Sequence, residues 1–103
     1  MLEGLLNSFS DLPDPRCKPR TDHCLIDVLV IAVCAVIAGA ETWVDIALYG
    51  RSKEGWLRTF LKLRSGIPSH DTFRRVFTII DPKLFEQHFY QWVSLLLQPI
   101  DRE

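Results

Sequence analysis

The sequence predicts an all-α fold, a small bundle of about five to six helices, and three observations carry that expectation. Apolar residues recur at three- and four-residue spacing along most of the chain. Ser, Thr and Asp precede those stretches, and Gly or Pro follows them. No β-rich run is long enough to build a sheet. A length of 103 residues suits one domain, 1–103, and 48% hydrophobic with 24% charged residues is the composition of a folded globular chain.

Residues 1–9 place Leu2, Leu5, Leu6 and Phe9 at helical spacing, the pattern of a short amphipathic helix. Pro13, Pro15 and Pro19 exclude a helix over the next ten residues and favour an extended strap, which carries Arg16, Lys18 and Arg20. Thr21 or Asp22 can then cap a helix over 23–38 that is apolar on nearly every face and belongs at the centre, with Gly39 as its left-handed stop. Thr42 and Asp45 form a capping-box-like pair for a helix whose inward stripe is Trp43, Ile46 and Ala47 and which Gly50 ends or bends.

Ser52 can restart a helix in which Trp56, Phe60 and Leu63 share a face, closed by Gly66 and Pro68. Ser69 caps the clearest local signal. Asp71 lies in its first turn, and Phe73, Val76, Phe77 and Ile80 repeat along one side. Two helices around a Gly-containing turn are compatible with a helix-turn-helix-like element. Asp81 and Pro82 set the last cap, before an aromatic stripe of Phe85, Phe89, Trp92 and Leu96, with His88 beside it as a packed, hydrogen-bonded residue.

A net charge of −1 hides a strong asymmetry. Residues 1–50 sum to −4, residues 51–75 to +5 and residues 76–103 to −2. The basic middle comprises Arg51, Lys53, Arg58, Lys62, Arg64, Arg74 and Arg75 against Glu54 and Asp71. Together with Thr78, which shares the outward face of the Ser69-capped helix, these cations are the candidate DNA-binding residues, reaching phosphates or base edges in a major groove. A solvated helix face explains the same charges.

Cys17, Cys24 and Cys34 are odd in number and form no Cys-x-x-Cys pair, which points to a reducing compartment; Cys24 and Cys34 read as small hydrophobes in an apolar run. The N-terminus lacks the basic and apolar regions of a signal peptide. The apolar stretch 25–40 is shorter than the roughly 20 residues that span a bilayer, and Asp27 interrupts it. A cytoplasmic chain without a membrane partner is expected. No phosphate loop, Ser/His/Asp set or zinc-ligand spacing is present, so neither a catalytic residue, a metal, a cofactor nor a small-molecule substrate is expected.

Three ordered blocks then carry a resemblance. They are His23-x-Leu25-x-Asp27-x-Leu29, Cys34-Ala35-Val36-Ile37-x-Gly39-Ala40-Glu41-x-Trp43-x-Asp45-Ile46, and Gly66-Ile67-Pro68-Ser69-His70-Asp71-Thr72-x-x-Arg75-Val76. Over residues 9–97 the chain resembles the N-terminal region of bacterial insertion-sequence transposases of the H-repeat-associated family. The resemblance implies that this region precedes a DDE-type catalytic domain with an RNase H-like fold, whose acids bind two divalent metal ions. Asp101 lacks the strand context of such an acid, and the first catalytic aspartate is expected beyond the last residue of this chain.

The expectation is therefore a noncatalytic N-terminal domain of a truncated transposase that binds transposon-end DNA. The alternatives are a helical module that self-associates or docks on a transposase catalytic domain through Trp56, Trp92, Leu2, Leu5 and Leu6, or a nonfunctional remnant. An independent metal nuclease stands behind both.

Overall fold

The computed structural model describes residues 2–10 and 23–97, and its six helices are α1 (Leu2–Ser10), α2 (Leu25–Ile37), α3 (Trp43–Ser52), α4 (Glu54–Leu57), α5 (His70–Ile79) and α6 (Pro82–Leu97). No strand occurs among the described residues, so the fold class is all-α. The proline strap with Arg16, Lys18 and Arg20, Cys17, and the side chains of Leu2, Leu5 and Leu96 lie outside the described residues. The chain divides into two compact units, residues 14–80 and residues 1–13 with 81–103.

In the larger unit α2 is the centre. Val28, Leu29, Val30 and Ile31 are fully buried in succession, which covers every face of the helix and is what its unbroken apolar sequence requires. Its end is a Schellman motif: Gly39 sits at φ 106°, its N–H donates to the Val36 carbonyl, and the Ala40 N–H donates to the Ala35 carbonyl at 2.9 Å. At its start α2 begins at Leu25, so its N-cap is Cys24 and not the expected Thr21 or Asp22, and Cys24 is exposed where its apolar run suggested a small packed hydrophobe. A cap residue precedes the packed stripe and points away from it. Cys34, inside the helix, is half-buried.

α3 begins as its residues demand. Thr42 Oγ1 accepts the Asp45 N–H at 3.0 Å, and the Asp45 carboxylate accepts the Glu41 N–H at 3.1 Å. Ile46, Ala47 and Gly50 are buried, and Trp43 stacks on Phe77 of α5 with ring centroids 5.6 Å apart. Gly50 neither ends nor bends the helix, which continues to Ser52. A Cβ at this position would lie 2.7 Å from Ile67 Cγ2 and 3.3 Å from Ile31 Cγ2, so the glycine is there because two isoleucine side chains close against it.

The helix expected from Ser52 to Leu63 is the main difference. α4 is a single turn that stops at Leu57, and the chain runs without a helix over residues 58–69. The cause lies in the core. Asp27 of α2 is 3% exposed, and its Oδ2 accepts the Leu63 N–H at 3.2 Å. To present that N–H while burying its own side chain, Leu63 takes a left-handed backbone at φ 47°. A helix through Leu63 would commit the N–H to its own ladder and leave a buried carboxylate without its donor. Leu57 and Leu61 are buried alongside Leu63, and Pro68 is fully buried farther along. A twelve-residue connection into α5 is also much longer than the roughly three- to four-residue turn of a helix-turn-helix.

In the smaller unit α1 packs on α6. Phe9 is buried with its ring 5.3 Å from that of Phe85, and Trp92 is buried facing Gly4. Asp81 Oδ1 caps α6 by accepting the Lys83 N–H at 2.9 Å, with Pro82 at the first helical position. His88 is a packed residue, as its place beside the aromatic stripe suggests: its Nδ1 hydrogen-bonds the Ser8 carbonyl, and its ring lies against Phe9.

Burial pushes the Asp27 carboxyl above the usual carboxylate range, against the opposing pull of the Leu63 N–H, His23 and Lys62. A raised carboxyl pKa favours the folded state most when the group is protonated. Its contribution is fully present below the unfolded value and is lost as pH rises through the folded one. Asp27→Ala, which orphans the Leu63 N–H, should destabilise by about 1–3 kcal/mol in urea unfolding at pH 7. Asp27→Asn keeps an acceptor and should remain within about 1 kcal/mol of wild type while flattening this part of the pH profile. Gly50→Ala should cost about 1–2 kcal/mol in the same measurement, overpacking against Ile67 outweighing the roughly 1 kcal/mol that alanine gains in helix propensity.

Candidate nucleic-acid interface

α5 is built to show one side. Ser69 holds an extended backbone (φ −74°, ψ 163°), and its Oγ accepts the Thr72 N–H at 3.3 Å. Phe73 and Val76 are buried and Ile80 is buried just past the helix end, while Arg74, Arg75 and Thr78 are exposed on the opposite side with half-buried Asp71. At 100° per residue, positions 71, 74, 75 and 78 fall on one stripe. The structure therefore brings together three of the sequence-predicted residues, Arg74, Arg75 and Thr78.

Asp71, which the charge count set against the basic residues, is paired with both arginines of this face. Asp71 Oδ1 accepts from Arg74 Nη2 at 2.8 Å, and Asp71 Oδ2 lies 3.3 Å from Arg75 Nε. One carboxylate thus clips two guanidiniums. The hydrogen bond from Arg74, helped by the charges of Arg74, Arg75 and His70, holds the Asp71 carboxyl below its usual range. Spacing alone contained the signal, since Asp at i with Arg at i+3 and i+4 is a helical ion-pair pattern. Thr78 Oγ1 donates to the Arg74 carbonyl at 2.7 Å, so its hydroxyl proton is engaged within the helix and an acceptor is what it offers outward.

The remaining candidates lie along the chain from the end of α3 toward α5. Arg51, Lys53, Arg58, Lys62 and Arg64 are all exposed. Arg58 is paired with Glu54 through Nη2 at 2.7 Å and Nε at 3.1 Å. Arg51, Lys53 and Arg64 form no ion pair among the described residues, while Lys62 lies within electrostatic reach of Asp27. In place of the helical face expected around Trp56, Phe60 and Leu63, the structure separates the three: Leu63 is buried, Phe60 is half-buried and Trp56 is exposed.

No group of three or more His, Cys, Asp or Glu side chains among the described residues has a metal-binding arrangement. Nor is any helix among them long and apolar enough to cross a membrane.

These features define a small all-α module with exposed cations on one face of α5 and over the segment from Arg51 to Arg64. The chain belongs to the DDE_Tnp_1-associated family, whose model matches residues 6–93. It is 54% identical over 87 residues to the "Uncharacterized protein in dhlA 3'region" of Xanthobacter autotrophicus, covering 84% of this chain and 30% of that protein. It is 38% identical over 92 residues to the "H repeat-associated putative transposase YbfD" of Escherichia coli K12, covering 89% of this chain and 36% of that protein. It is 40% identical over 75 residues to the "Inactive transposase YbfQ" of the same strain, covering 73% of this chain and 89% of that protein. The chain thus spans about a third of the first two relatives and most of the third. No solved structure matches it.

Because the Ser69 cap sets where α5 begins, Ser69→Ala should lower stability by about 1 kcal/mol, read as a fall in Tm, with Ser69→Asn restoring it.

Proposed function

We propose that this domain is the noncatalytic, DNA-binding module of an insertion-sequence transposase and engages duplex DNA at the transposon ends. The observation that carries the reading is the outward face of α5, where Arg74 and Arg75 stand exposed on a helix whose opposite side is anchored in the core. Membership of a family associated with DDE transposases, and relatives named as transposases, support it. In this reading strand cleavage belongs to a DDE domain of the full-length relatives, and this module supplies grip and placement.

The chemistry is phosphate neutralisation. A guanidinium offers a planar fork of donors that matches a phosphate, and each cation that replaces a condensed counterion makes binding more salt-sensitive. Asp71 has two effects. It keeps both guanidiniums in a fixed geometry, which lowers the entropy lost on binding, and it competes with phosphate for their protons. Arg51, Lys53, Arg58, Lys62 and Arg64 add a longer-range attraction that orients the approach.

Fluorescence anisotropy on a duplex carrying the element's own terminal inverted repeat tests the reading. Replacing Arg74 and Arg75 together by Ala should weaken binding about tenfold or more near 100 mM salt and flatten the log Kd against log salt slope by about 2. Asp71→Asn should strengthen binding to unrelated duplexes, because two guanidiniums are released. An unchanged affinity and slope in the double variant would remove α5 from the interface.

A further inference from the structure

Trp56 has an environment that neither the core nor the α5 face uses. The residue is 44% exposed on the single turn of α4, while Leu57, the next residue, is buried. The turn is tightly held. The Arg58 N–H donates to the Glu54 carbonyl at 2.9 Å, the Thr59 hydroxyl to the Trp56 carbonyl at 2.6 Å, and the Leu61 N–H to the Leu57 carbonyl at 2.9 Å. Phe60 supports the ring edge-on, with centroids 5.0 Å apart and planes at 73°. Gly55, the residue before Trp56, is exposed as well.

The charge of the segment that carries this ring selects its occupant. Residues 51–64 hold five cations and one carboxylate, Glu54, which is already paired with Arg58. An apolar protein partner that covered the indole and its segment would have to desolvate the exposed cations of that segment as well. A polyanion carrying flat aromatic rings meets both demands at once: its phosphates take the cations and a base takes the ring. In an intact duplex the bases are stacked on one another and show only their edges. The base must therefore come from a single strand or a frayed end.

We propose that Trp56 is a stacking platform for an unpaired nucleobase, and that the basic connection from Arg51 to Arg64 takes single-stranded DNA or the frayed end of a duplex. The proposal rests on the DNA-binding reading above and adds a second contact with a different DNA form. The α5 face holds duplex phosphates, and the Trp56 turn holds an opened base. A module with both contacts would favour a duplex that ends in unpaired nucleotides over a blunt one.

The experiment uses the full 103-residue chain with three probes: a twelve-nucleotide oligo(dT), a blunt hairpin duplex, and the same hairpin with a three-nucleotide overhang. Tryptophan fluorescence should be quenched by oligo(dT). Of the chain's three tryptophans, Trp92 is buried and Trp43 is half-buried against Phe77, so Trp56 is the most accessible, and the Trp56→Phe variant isolates its share of the quench.

Trp56→Ala should weaken oligo(dT) binding by about tenfold and abolish the preference for the overhang, with blunt-duplex affinity changed less than about twofold. Trp56→Phe keeps a ring and should retain affinity within about threefold while losing the quench, and far-UV circular dichroism checks that both variants fold. Single-strand and overhang binding that Trp56→Ala leaves untouched, with duplex binding still dependent on Arg74 and Arg75, would overturn the stacking proposal and spare the DNA reading. Failure of the wild-type chain to bind any of the three probes at low salt would overturn both. If Trp56→Ala instead converted a self-associating chain to a monomer in sedimentation, without changing DNA binding, the ring would be a protein contact and the proposal would fall.

Discussion

The larger unit depends on one buried hydrogen bond, from the Leu63 N–H to the Asp27 carboxylate. α2 is almost wholly apolar, so a carboxylate on it carries a large desolvation penalty unless a donor reaches it. The donor comes from a residue 36 positions along the chain, and it can be presented only by a backbone that leaves the helical region. That single requirement shortens α4 to one turn, drives Leu57, Leu61 and Leu63 inward and turns the intervening polar residues to solvent. The exposure of Trp56, Arg58, Lys62 and Arg64 is thus a consequence of how the core satisfies Asp27.

The same logic distinguishes the two basic regions. On α5 the cations are regular, spaced by the helix and tied to Asp71, which leaves them fixed but partly neutralised. Along the connection they are irregular and, apart from Arg58, carry no ion pair among the described residues. Fixed guanidiniums suit the regular phosphate spacing of a duplex. An irregular cationic strip around an exposed indole suits a strand that can adjust to it. A chain whose net charge is only −1 can therefore present two distinct cationic surfaces, because the acids that balance the total lie largely outside the segment 51–75.

Much of the local structure was legible because its causes are local. Thr42, Ser69 and Asp81 cap their helices through N–H groups two to three residues away, and Gly39 stops α2 because the next backbone must be left-handed. The apolar stripe of α5, and hence the outward placement of Arg74, Arg75 and Thr78, follows from periodicity alone. What escaped the reading was long-range. Gly50 looks like a helix breaker in sequence and is a packing contact with Ile31 and Ile67. Cys24 looks like part of an apolar run and is an exposed cap.

By itself, the sequence determined the all-α class, the caps of α3, α5 and α6, the outward face of α5 and the family, since each rests on spacing within a few turns or on residue identities in order. Only the tertiary structure decided that the segment after Ser52 is one turn and a connection instead of a helix. There the local pattern of Trp56, Phe60 and Leu63 supports a helix, and the need of a distant buried carboxylate for an N–H donor overrides it.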